Sequence, residues 1–512
     1  MVKIISKNDK KLFRYINNYG VHNTGVNIEP YILQIILKVS IKERRRILSL
    51  FLKNKNIEAM SELNKLILDV NISQKAKDML SRVLSVCTYA NIDFPLPEKS
   101  TEQLYCPKKG HILYLLHMRA PIIQNGYASR SGVILDAIIK SGHTVFGVTR
   151  PGFPNELQAY RHVNIKPIEK IDDIVFHALS DYSGNLINTP IDRFILNYAN
   201  ELIDLAKDER PEIIHAASNY INGIAAVIAG RKLGICSVYE VRGLWHVTKE
   251  SKDISYKYTL KYALEKKMEI FAVKEADRVI VISEGLKQYF VREGVDESKL
   301  LVVPNGVDGN KFFPVNKNIM LANKLKIKNT DVVIGYVGSI VDYEGIDLVL
   351  KAVHTLIKRS VHNVKLLIVG GGVAEEPLKK LMNDLGVQDV CIFAGLVPKD
   401  EVIDYYSLID IAPFARKSLP VTKIVSPLKP MEAMAMGCSV VVSDLPALID
   451  IGVDGESILH CTADDYNSLA DAFYKLIVSG DLRAVMGNNA RQWVLKNRSI
   501  DQLSELIRAS YE

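Results

Sequence analysis

Hydrophobic residues recur with two different spacings along this chain, and the spacing changes near residue 107. Before that point apolar positions repeat every three to four residues, which predicts amphipathic helices. The predicted helices cover residues 31–39, 41–52, 57–68 and 74–87. We therefore expect an all-helical N-terminal extension over residues 1–106, ending in the linker NIDFPLPEKSTEQ.

Beyond residue 107 short continuous apolar runs alternate with helical patterns. The runs that predict buried strands are residues 111–117, 144–150, 211–219, 236–241, 278–283, 300–303, 332–340, 364–372, 391–397, 409–414 and 438–442. The helical patterns include residues 131–141, 220–233, 254–276, 345–359 and 491–511. This alternation is typical of α/β domains built on parallel sheets. Residues 155–206 are less regular, and we expect helices and a lid-like insertion there.

The segment with the most candidate site residues lies between the last two apolar runs. A loop follows the strand at residues 409–414, and a helix over residues 431–436 carries Glu432 in its first turn. The loop holds four cations, Arg416, Lys417, Lys423 and Lys429. Cations near a helix start attract an anion such as a diphosphate, while a carboxylate accepts hydrogen bonds from sugar hydroxyls. The pattern favours a nucleotide-sugar pocket; the alternative is a solvated loop and an ordinary helix-start acid.

A second stretch with candidate chemistry is CSVYEVRGLWHV at residues 236–247. Its strand delivers Glu240 and Arg242 to the carboxyl end, where ligands bind in such sheets. We expect both side chains to face the binding cleft. The alternative for this pair is a structural salt bridge, and His246 is interpreted as a packing or surface residue.

Composition indicates the class of protein. Of 512 residues, 48% are hydrophobic and 24% charged, as in globular proteins with sizeable cores. The six cysteines form no CxxC pair, which indicates reduced thiols in the cytoplasm. We find no apolar run long enough to cross a bilayer and expect no signal peptide. No His/Asp cluster at ligand spacing indicates a metal site.

The segment PLKPMEAMAMGCSVVVSDLPAL at residues 427–448 resembles the donor site of the large retaining GT-B glycosyltransferase family, the family 4-like enzymes. Most members carry two glutamates eight positions apart. The second matches Glu432, and the first falls on Ile424. The chain is most similar to a branch with Tyr-Glu-Gly, here residues 343–345, and Pro-Leu-Lys-Pro-x-Glu. In the wider family two cations near the first donor-domain strand grip the diphosphate, where this chain has Ser339 and Glu344.

The resemblance implies a GT-B fold, with two Rossmann-like domains facing across a cleft. The implied domains are the helical extension at residues 1–106, an acceptor domain at 107–308, a nucleotide-sugar donor domain at 309–490, and a C-terminal helix at 491–512 that crosses back to the acceptor domain. The implied activity is retaining, metal-independent transfer of a hexosyl group, from a UDP-sugar in our expectation, to a glycan or lipid-linked acceptor in surface polysaccharide biosynthesis. No cofactor is implied beyond the nucleotide sugar, and no nucleic acid partner is expected. We expect a cytoplasmic protein, peripheral on the inner face of the membrane.

The resemblance and the strand ends together give the candidate site residues. The candidate catalytic residues are Glu240, Arg242, Arg416, Lys429 and Glu432. The candidate donor-binding residues are Gly338, Ser339, Gly395, Leu396, Lys423, Pro427 and Leu428. The candidate acceptor or phosphate loop contains Arg119, Gly126, Tyr127 and Arg130.

Two other classes of protein stay open at this point. A GT-B phosphorylase or a sugar-nucleotide epimerase would share the donor site, and an epimerase would act on the donor alone. A non-catalytic assembly factor would explain the absent glutamate at Ile424 and the absent lysine at Glu344.

Two interpretations of the N-terminal extension stay open: a helical adaptor with a solvated charged face, or a surface that contacts anionic lipid or a partner enzyme. Residues 1–100 hold 17 Lys and Arg against 9 Asp and Glu, and the basic run KERRR at 42–46 adjoins the apolar ILSLFL. Each basic residue near an anionic surface contributes about 1 kcal/mol, which salt screens. We expect the full chain to bind anionic vesicles at low salt and to lose that binding at high salt in a co-sedimentation assay. Equal binding to neutral and anionic vesicles would support the alternative, a helical adaptor with a solvated face.

Overall fold

The computed structural model describes residue 65, residues 74–179 and residues 186–512. The predicted helices at 31–39 and 41–52, and all but residue 65 of that at 57–68, lie outside these residues. The predicted helix at 74–87 is confirmed as α1 (Gln74–Tyr89).

The strands follow in chain order. They are β1 (His111–Leu116), β2 (Thr144–Thr149), β3 (Ile168–Ile171), β4 (Ile174–Ala178), β5 (Ile213–Ala217), β6 (Cys236–Val241), β7 (Arg278–Val281), β8 (Leu300–Val302), β9 (Val332–Val337), β10 (Val364–Val369), β11 (Cys391–Gly395), β12 (Ile411–Phe414), β13 (Ser439–Ser443) and β14 (Leu459–Cys461).

The helices after α1 alternate with these strands. They are α2 (Gly126–Lys140), α3 (Ile191–Glu209), α4 (Tyr220–Leu233), α5 (Trp245–Glu250), α6 (Leu260–Glu275), α7 (Glu284–Arg292), α8 (Ile319–Lys324), α9 (Ile346–Lys358), α10 (Glu375–Asp384), α11 (Val402–Tyr406), α12 (Pro420–Ile424), α13 (Lys429–Ala435), α14 (Pro446–Ile449), α15 (Tyr466–Val478), α16 (Gly480–Arg498) and α17 (Ile500–Tyr511).

Two sheets organise these elements. The first has the strand order β3-β4-β2-β1-β5-β6-β7-β8, with β4, β2, β1, β5 and β6 parallel and β3 antiparallel to β4. The second is fully parallel, in the order β11-β10-β9-β12-β13-β14. The predicted architecture of two parallel-sheet α/β domains is thereby confirmed.

The chain forms two compact units, neither of which is continuous in sequence. Of the described residues, the first unit contains 65, 74–123, 144–179, 186–279 and 293–299, and the second contains 124–143, 280–292 and 300–512. The domain limits expected from the sequence stay a prediction. No helix among the described residues combines the length and the apolar character that a bilayer-spanning segment needs.

The second sheet is covered by apolar side chains on both faces. In β9, Ile334 and Tyr336 belong to one buried cluster, whereas Val333 and Val337 belong to another. This double burial explains why its strands are continuous apolar runs and not alternating ones.

Several elements differ from the sequence predictions. Helix α2 begins at Gly126, five residues earlier than predicted, because the Asn125 side chain accepts a hydrogen bond from the Ala128 N–H and caps it. The helix predicted at 254–276 is interrupted at Thr259. The irregular region 155–206 contains β3 and β4, which form no continuous apolar run because six of their nine residues are exposed or partly exposed.

The C-terminal helix also differs in its bounds. The pattern predicted one helix at 491–511, but α16 starts at Gly480 and the chain breaks at Ser499, whose hydroxyl caps α17. Within the second unit α17 packs against α2. Lys140 pairs with Asp501, and an Arg508 guanidinium nitrogen donates to the Ser141 carbonyl at 3.4 Å.

Helix α1 packs into the first unit. Its side chains Leu80, Val83 and Cys87 are at most 1% exposed. Phe94, which follows the helix, is 3% exposed. The Ser85 hydroxyl donates to Asp192 on α3 at 2.6 Å. Residues 74–94 therefore contribute to the core of this unit.

We expect the chain that lacks residues 1–100 to be less stable than the chain that lacks residues 1–73. Stripping three large buried side chains, Leu80, Val83 and Phe94, costs about 5 kcal/mol or more. Urea unfolding of the two shortened chains measures this difference. Equal unfolding midpoints would show that residues 74–100 are dispensable for the fold.

Candidate active site

The carboxyl edge of the second sheet gathers four side chains from separate elements. Tyr336 lies in β9 and Glu344 in the turn that follows it, Arg416 follows β12, and Lys429 opens α13. Strands β9 and β12 are neighbours in the sheet, so residues that follow them meet at one edge. This is the edge at which open parallel sheets bind ligands.

Gly345 allows the turn that carries Glu344 to approach the segment after β12. Its φ of 74° lies in the left-handed region, and a Cβ atom there would overlap the Ala415 carbonyl oxygen. Only glycine satisfies both conditions without strain. The backbone of the turn therefore approaches residue 415, which places Glu344 beside Arg416.

One buried carboxylate lies between two cations in this cluster. Glu344 Oε2 is 3.2 Å from Lys429 Nζ, and its Oε1 is 3.6 Å from Arg416 Nε. The Lys429 ammonium also donates to the Tyr336 hydroxyl at 2.6 Å, and that hydroxyl donates to the Ser339 carbonyl at 2.9 Å. Arg416 Nη1 donates to the Val425 carbonyl at 2.8 Å.

Burial and charge act in opposite directions on this cluster. Burial alone would raise the pKa of Glu344, but Lys429 and Arg416 hold that pKa below its ordinary value. Burial lowers the pKa of Lys429, Glu344 opposes this, and Arg416 adds to the lowering. The cluster therefore contains an ionised acid and carries more positive than negative charge.

Gly338 leaves the space that the Lys429 side chain occupies. Its φ is 147°, and a Cβ atom would overlap Cε of Lys429. The structure thus brings together four residues that the sequence predicted: Gly338, Ser339, Arg416 and Lys429. Tyr336 was missed, and Glu344 was noted only as the place of an absent lysine.

Glu432 lies one turn after Lys429 on α13 and is partly buried. The Tyr406 hydroxyl donates to its Oε2 at 3.4 Å. Burial raises the pKa of Glu432 to about 7, against the opposing effect of Lys399, Lys429 and Lys311. Near neutral pH this carboxyl is therefore divided between a form that only accepts hydrogen bonds and a form that also donates one.

The remaining donor-side candidates lie along neighbouring loops. Lys423 is exposed on the short helix α12, and Pro427 and Leu428 are partly buried between α12 and α13. Gly395 ends β11, and Leu396 after it is 85% exposed.

In the first unit the structure pairs Glu240 with Arg242. Glu240 is fully buried, and its Oε2 accepts hydrogen bonds from Arg242 Nη2 at 2.8 Å and from the Tyr114 hydroxyl at 2.9 Å. His215 Nε2 lies 3.6 Å from the same oxygen. This geometry contains the salt bridge that the sequence left open as the alternative, and the catalytic assignment of the pair stays a prediction.

The four acceptor-loop candidates lie in different surroundings. Arg119 forms a 2.5 Å ion pair with Glu169 in the first unit. In the second unit Gly126 and Tyr127 form the first turn of α2, where a loop was predicted. Arg130 donates to the carbonyls of Val303 and Pro304, each at 2.8 Å. Arg130 thus ties α2 to the segment after β8.

A histidine that the sequence analysis did not single out follows β1. Arg150 Nε donates to His117 Nδ1 at 3.0 Å, and the Asn219 amide lies 3.2 Å from the same nitrogen. Burial, together with Arg150, lowers the pKa of His117 well below its usual value. The signal in the sequence was its position as the last residue of the run at 111–117, at the carboxyl end of a predicted strand. The imidazole is neutral, with Nδ1 as acceptor.

No group of three or more His, Cys, Asp or Glu side chains within the described ranges lies close enough to share a metal ion. Whether the reaction needs a metal stays a prediction.

Models of two families match adjacent parts of the chain. Glycosyltransferase Family 4 matches residues 133–311, and Glycosyl transferases group 1 matches residues 320–493. The chain is 27% identical over 320 residues to a capsular polysaccharide biosynthesis glycosyltransferase of Staphylococcus aureus, covering 61% of this chain and 79% of that protein. It is 29% identical over 252 residues to a D-inositol 3-phosphate glycosyltransferase of Corynebacterium urealyticum, covering 46% and 58%.

Solved structures give the same fold. Sucrose-phosphate synthase of Thermosynechococcus elongatus superposes with a TM-score of 0.63 at 18% identity, over 79% of this chain and 98% of that one. An Anabaena protein crystallised with UDP-glucose superposes with a TM-score of 0.59 at 16% identity, over 78% and 98%. The fold is that of the glycosyltransferases with two facing α/β domains known as GT-B. The two family models that match the α/β parts of the chain confirm the family 4-like resemblance that its sequence motifs predicted.

We expect Glu432→Gln to weaken donor binding about tenfold, because the neutral amide replaces a charge-assisted acceptor worth about 1.5 kcal/mol. The melting temperature of the ligand-free variant at pH 8 should stay equal or rise slightly. The sign follows from the raised pKa of Glu432: the folded state holds an extra proton between the unfolded value and about 7, so the wild-type protein loses this stability as pH rises through that range.

Calorimetric titration with the donor and melting curves from pH 5 to pH 8 measure both quantities. A lower melting temperature with unchanged donor affinity would make Glu432 a residue of the fold and not of the site.

Proposed function

We propose that this protein is a retaining glycosyltransferase that moves a sugar from a nucleotide diphosphate sugar, a UDP-sugar in the first instance, to a glycan or lipid-linked acceptor in surface polysaccharide biosynthesis. The observation that carries the proposal is the cluster of Arg416 and Lys429 around one carboxylate at the carboxyl edge of the second sheet. Two cations against one buried acid leave a positive charge for an anionic ligand.

The reaction breaks the bond between the anomeric carbon and a diphosphate oxygen. The acceptor oxygen bonds to that carbon, and its proton leaves with the diphosphate or the solvent. Positive charge develops at the anomeric centre, as in glycoside hydrolysis, and negative charge develops on the leaving group. Arg416 and Lys429 would stabilise that negative charge, because fixed cations in a desolvated site act strongly on developing charge.

Glu432 is assigned to hydroxyl recognition. It lies one turn from Lys429 on α13, which suits a carboxyl that binds hydroxyls of the same ligand whose phosphates Lys429 binds. The proposed chemistry uses no metal, since cations of the protein itself neutralise the diphosphate.

The names of the relatives support the choice of substrates. The relative from Staphylococcus aureus is named for capsular polysaccharide biosynthesis, and the Anabaena structure holds UDP-glucose. These names, together with the basic N-terminal region, support a glycan or lipid-linked acceptor at the inner membrane face.

We expect Arg416→Ala and Lys429→Ala each to lower kcat/KM about thirtyfold, since each removes about 2 kcal/mol of charge-assisted stabilisation of the leaving diphosphate. Lys475 is an exposed lysine on α15. Lys475→Ala is the matched control and should leave the rate unchanged.

The donor is first chosen by thermal shift across UDP-, GDP- and CMP-sugars, and turnover is then measured with and without acceptor. Donor turnover without acceptor would favour the epimerase, and near-normal rates in both alanine variants would overturn the proposed site.

A further inference from the structure

The proposed diphosphate site contains an acid where a ligand anion is expected. Glu344 is 4% exposed, and each of its oxygens lies beside a different cation, Arg416 or Lys429. A buried carboxylate competes with a diphosphate for these cations. Its presence therefore needs an explanation that the reaction alone does not supply.

The cations themselves provide that explanation. Arg416 and Lys429 lie close to the same carboxylate in a desolvated environment, where like charges repel strongly. The groups that face Lys429 are the Tyr336 hydroxyl from β9, Glu344 from the turn, Arg416 after β12, and Glu432 on its own helix. Among these Glu344 is the acid whose oxygen lies 3.2 Å from the ammonium.

Other acids in the turn serve different partners. Asp342 lies two residues before Glu344, but it pairs with Lys417 at 2.9 Å, and its side chain is 80% exposed. Lys417 is also 3.1 Å from Asp347. The turn thus directs one acid to the surface lysine and the other to the buried pair of cations.

We propose that Glu344 is a positioning residue that keeps Lys429 charged and directed into the diphosphate site before the donor arrives. Glu344 Oε2 and the Tyr336 hydroxyl hold the ammonium from two elements, and Gly338 leaves the space through which its side chain runs. The kinetic effect expected of Glu344 rests on the proposed function. Its effect on the charge of Lys429 does not, because that effect is present without a ligand.

The expected consequence is a new pH dependence when the acid is neutralised. Burial lowers the pKa of Lys429, and Glu344 is the largest opposing influence. In Glu344→Gln the side chain keeps its shape but not its charge, so Lys429 should lose its proton at a lower pH than in the wild-type protein. The diphosphate would then lose one of its two cations as the pH rises.

The kinetic test is kcat/KM measured from pH 6 to pH 9.5. Relative to wild type, Glu344→Gln should lose about tenfold more activity at pH 9 than at pH 6.5, because a deprotonated Lys429 no longer donates a charge-assisted hydrogen bond to the diphosphate. The larger part of the change should be in KM for the donor. Glu344→Asp, which keeps the charge, should restore most of the wild-type profile. Asp342→Asn is the matched control from the same turn and should follow the wild-type profile.

The second test needs no substrate. In ligand-free Glu344→Gln the folded pKa of Lys429 lies below the unfolded value, so the unfolded state holds more protons and stability should rise with pH through that window. Urea unfolding of Glu344→Gln should therefore gain stability between pH 7 and pH 10 relative to the neutral pair Glu344→Gln/Lys429→Met. The same comparison of wild type with Lys429→Met should place the gain at a higher pH, because Glu344 raises the pKa of Lys429. A gain at the same pH in both comparisons, or superimposable pH–rate profiles of wild type and Glu344→Gln, would overturn the proposal. If no donor is turned over by the wild-type protein, the proposed function fails while the unfolding experiment still decides the role of Glu344.

Discussion

The carboxyl edge of the second sheet depends on one buried carboxylate shared by two cations. Glu344, Arg416 and Lys429 come from a turn, a strand end and a helix start, and their charges join the three elements. Leaving two desolvated cations without this acid would cost several kcal/mol, because breaking a buried pair strands a charge. The position of α13, and with it that of Glu432, is therefore tied to the turn after β9. Gly345 is what permits the turn to come this close.

The two units balance their buried charges differently. In the first unit three buried arginines each pair with an acid of their own: Arg119 with Glu169, Arg150 with Glu156, and Arg242 with Glu240. In the second unit two cations share Glu344. Paired charges suit a neutral ligand such as a sugar acceptor, whereas a surplus cation suits an anion. This asymmetry supports assigning the diphosphate to the second unit.

The sequence was most informative where one physical cause dominated. The strands of the second sheet were predictable because both of their faces are buried, which forces continuous apolar runs, as in β9 and β10. Arg416 and Lys429 could be singled out from the sequence because the first follows a buried strand and the second stands at a helix start, two places where cations can meet an anion. The start of α2 was not, since Gly126 argues against a helix, and the Asn125 cap that decides the matter also occurs in loops.

The interaction partners of a site residue were harder to predict than its position at the sheet edge. Glu344 could be read from the sequence only as an absent lysine, because its partners are 72 and 85 residues away along the chain. Glu240 and Arg242 were expected at a strand end and are there, but their contact with Tyr114 depends on the order β1-β5-β6 in the sheet. Such contacts between distant segments are set by the fold and leave no local pattern.

The two acids near Lys429 show how proximity to cations determines their state. Burial raises the pKa of both Glu344 and Glu432, and Lys429 lowers both. Glu344 has a second cation, Arg416, within 3.6 Å, whereas the hydrogen bond to Glu432 comes from the neutral Tyr406. The first acid is therefore ionised while the second titrates near pH 7. Pairs of acids whose environments separate their pKa values commonly have separate tasks, which accords with one acid that holds a cation and another that meets hydroxyls.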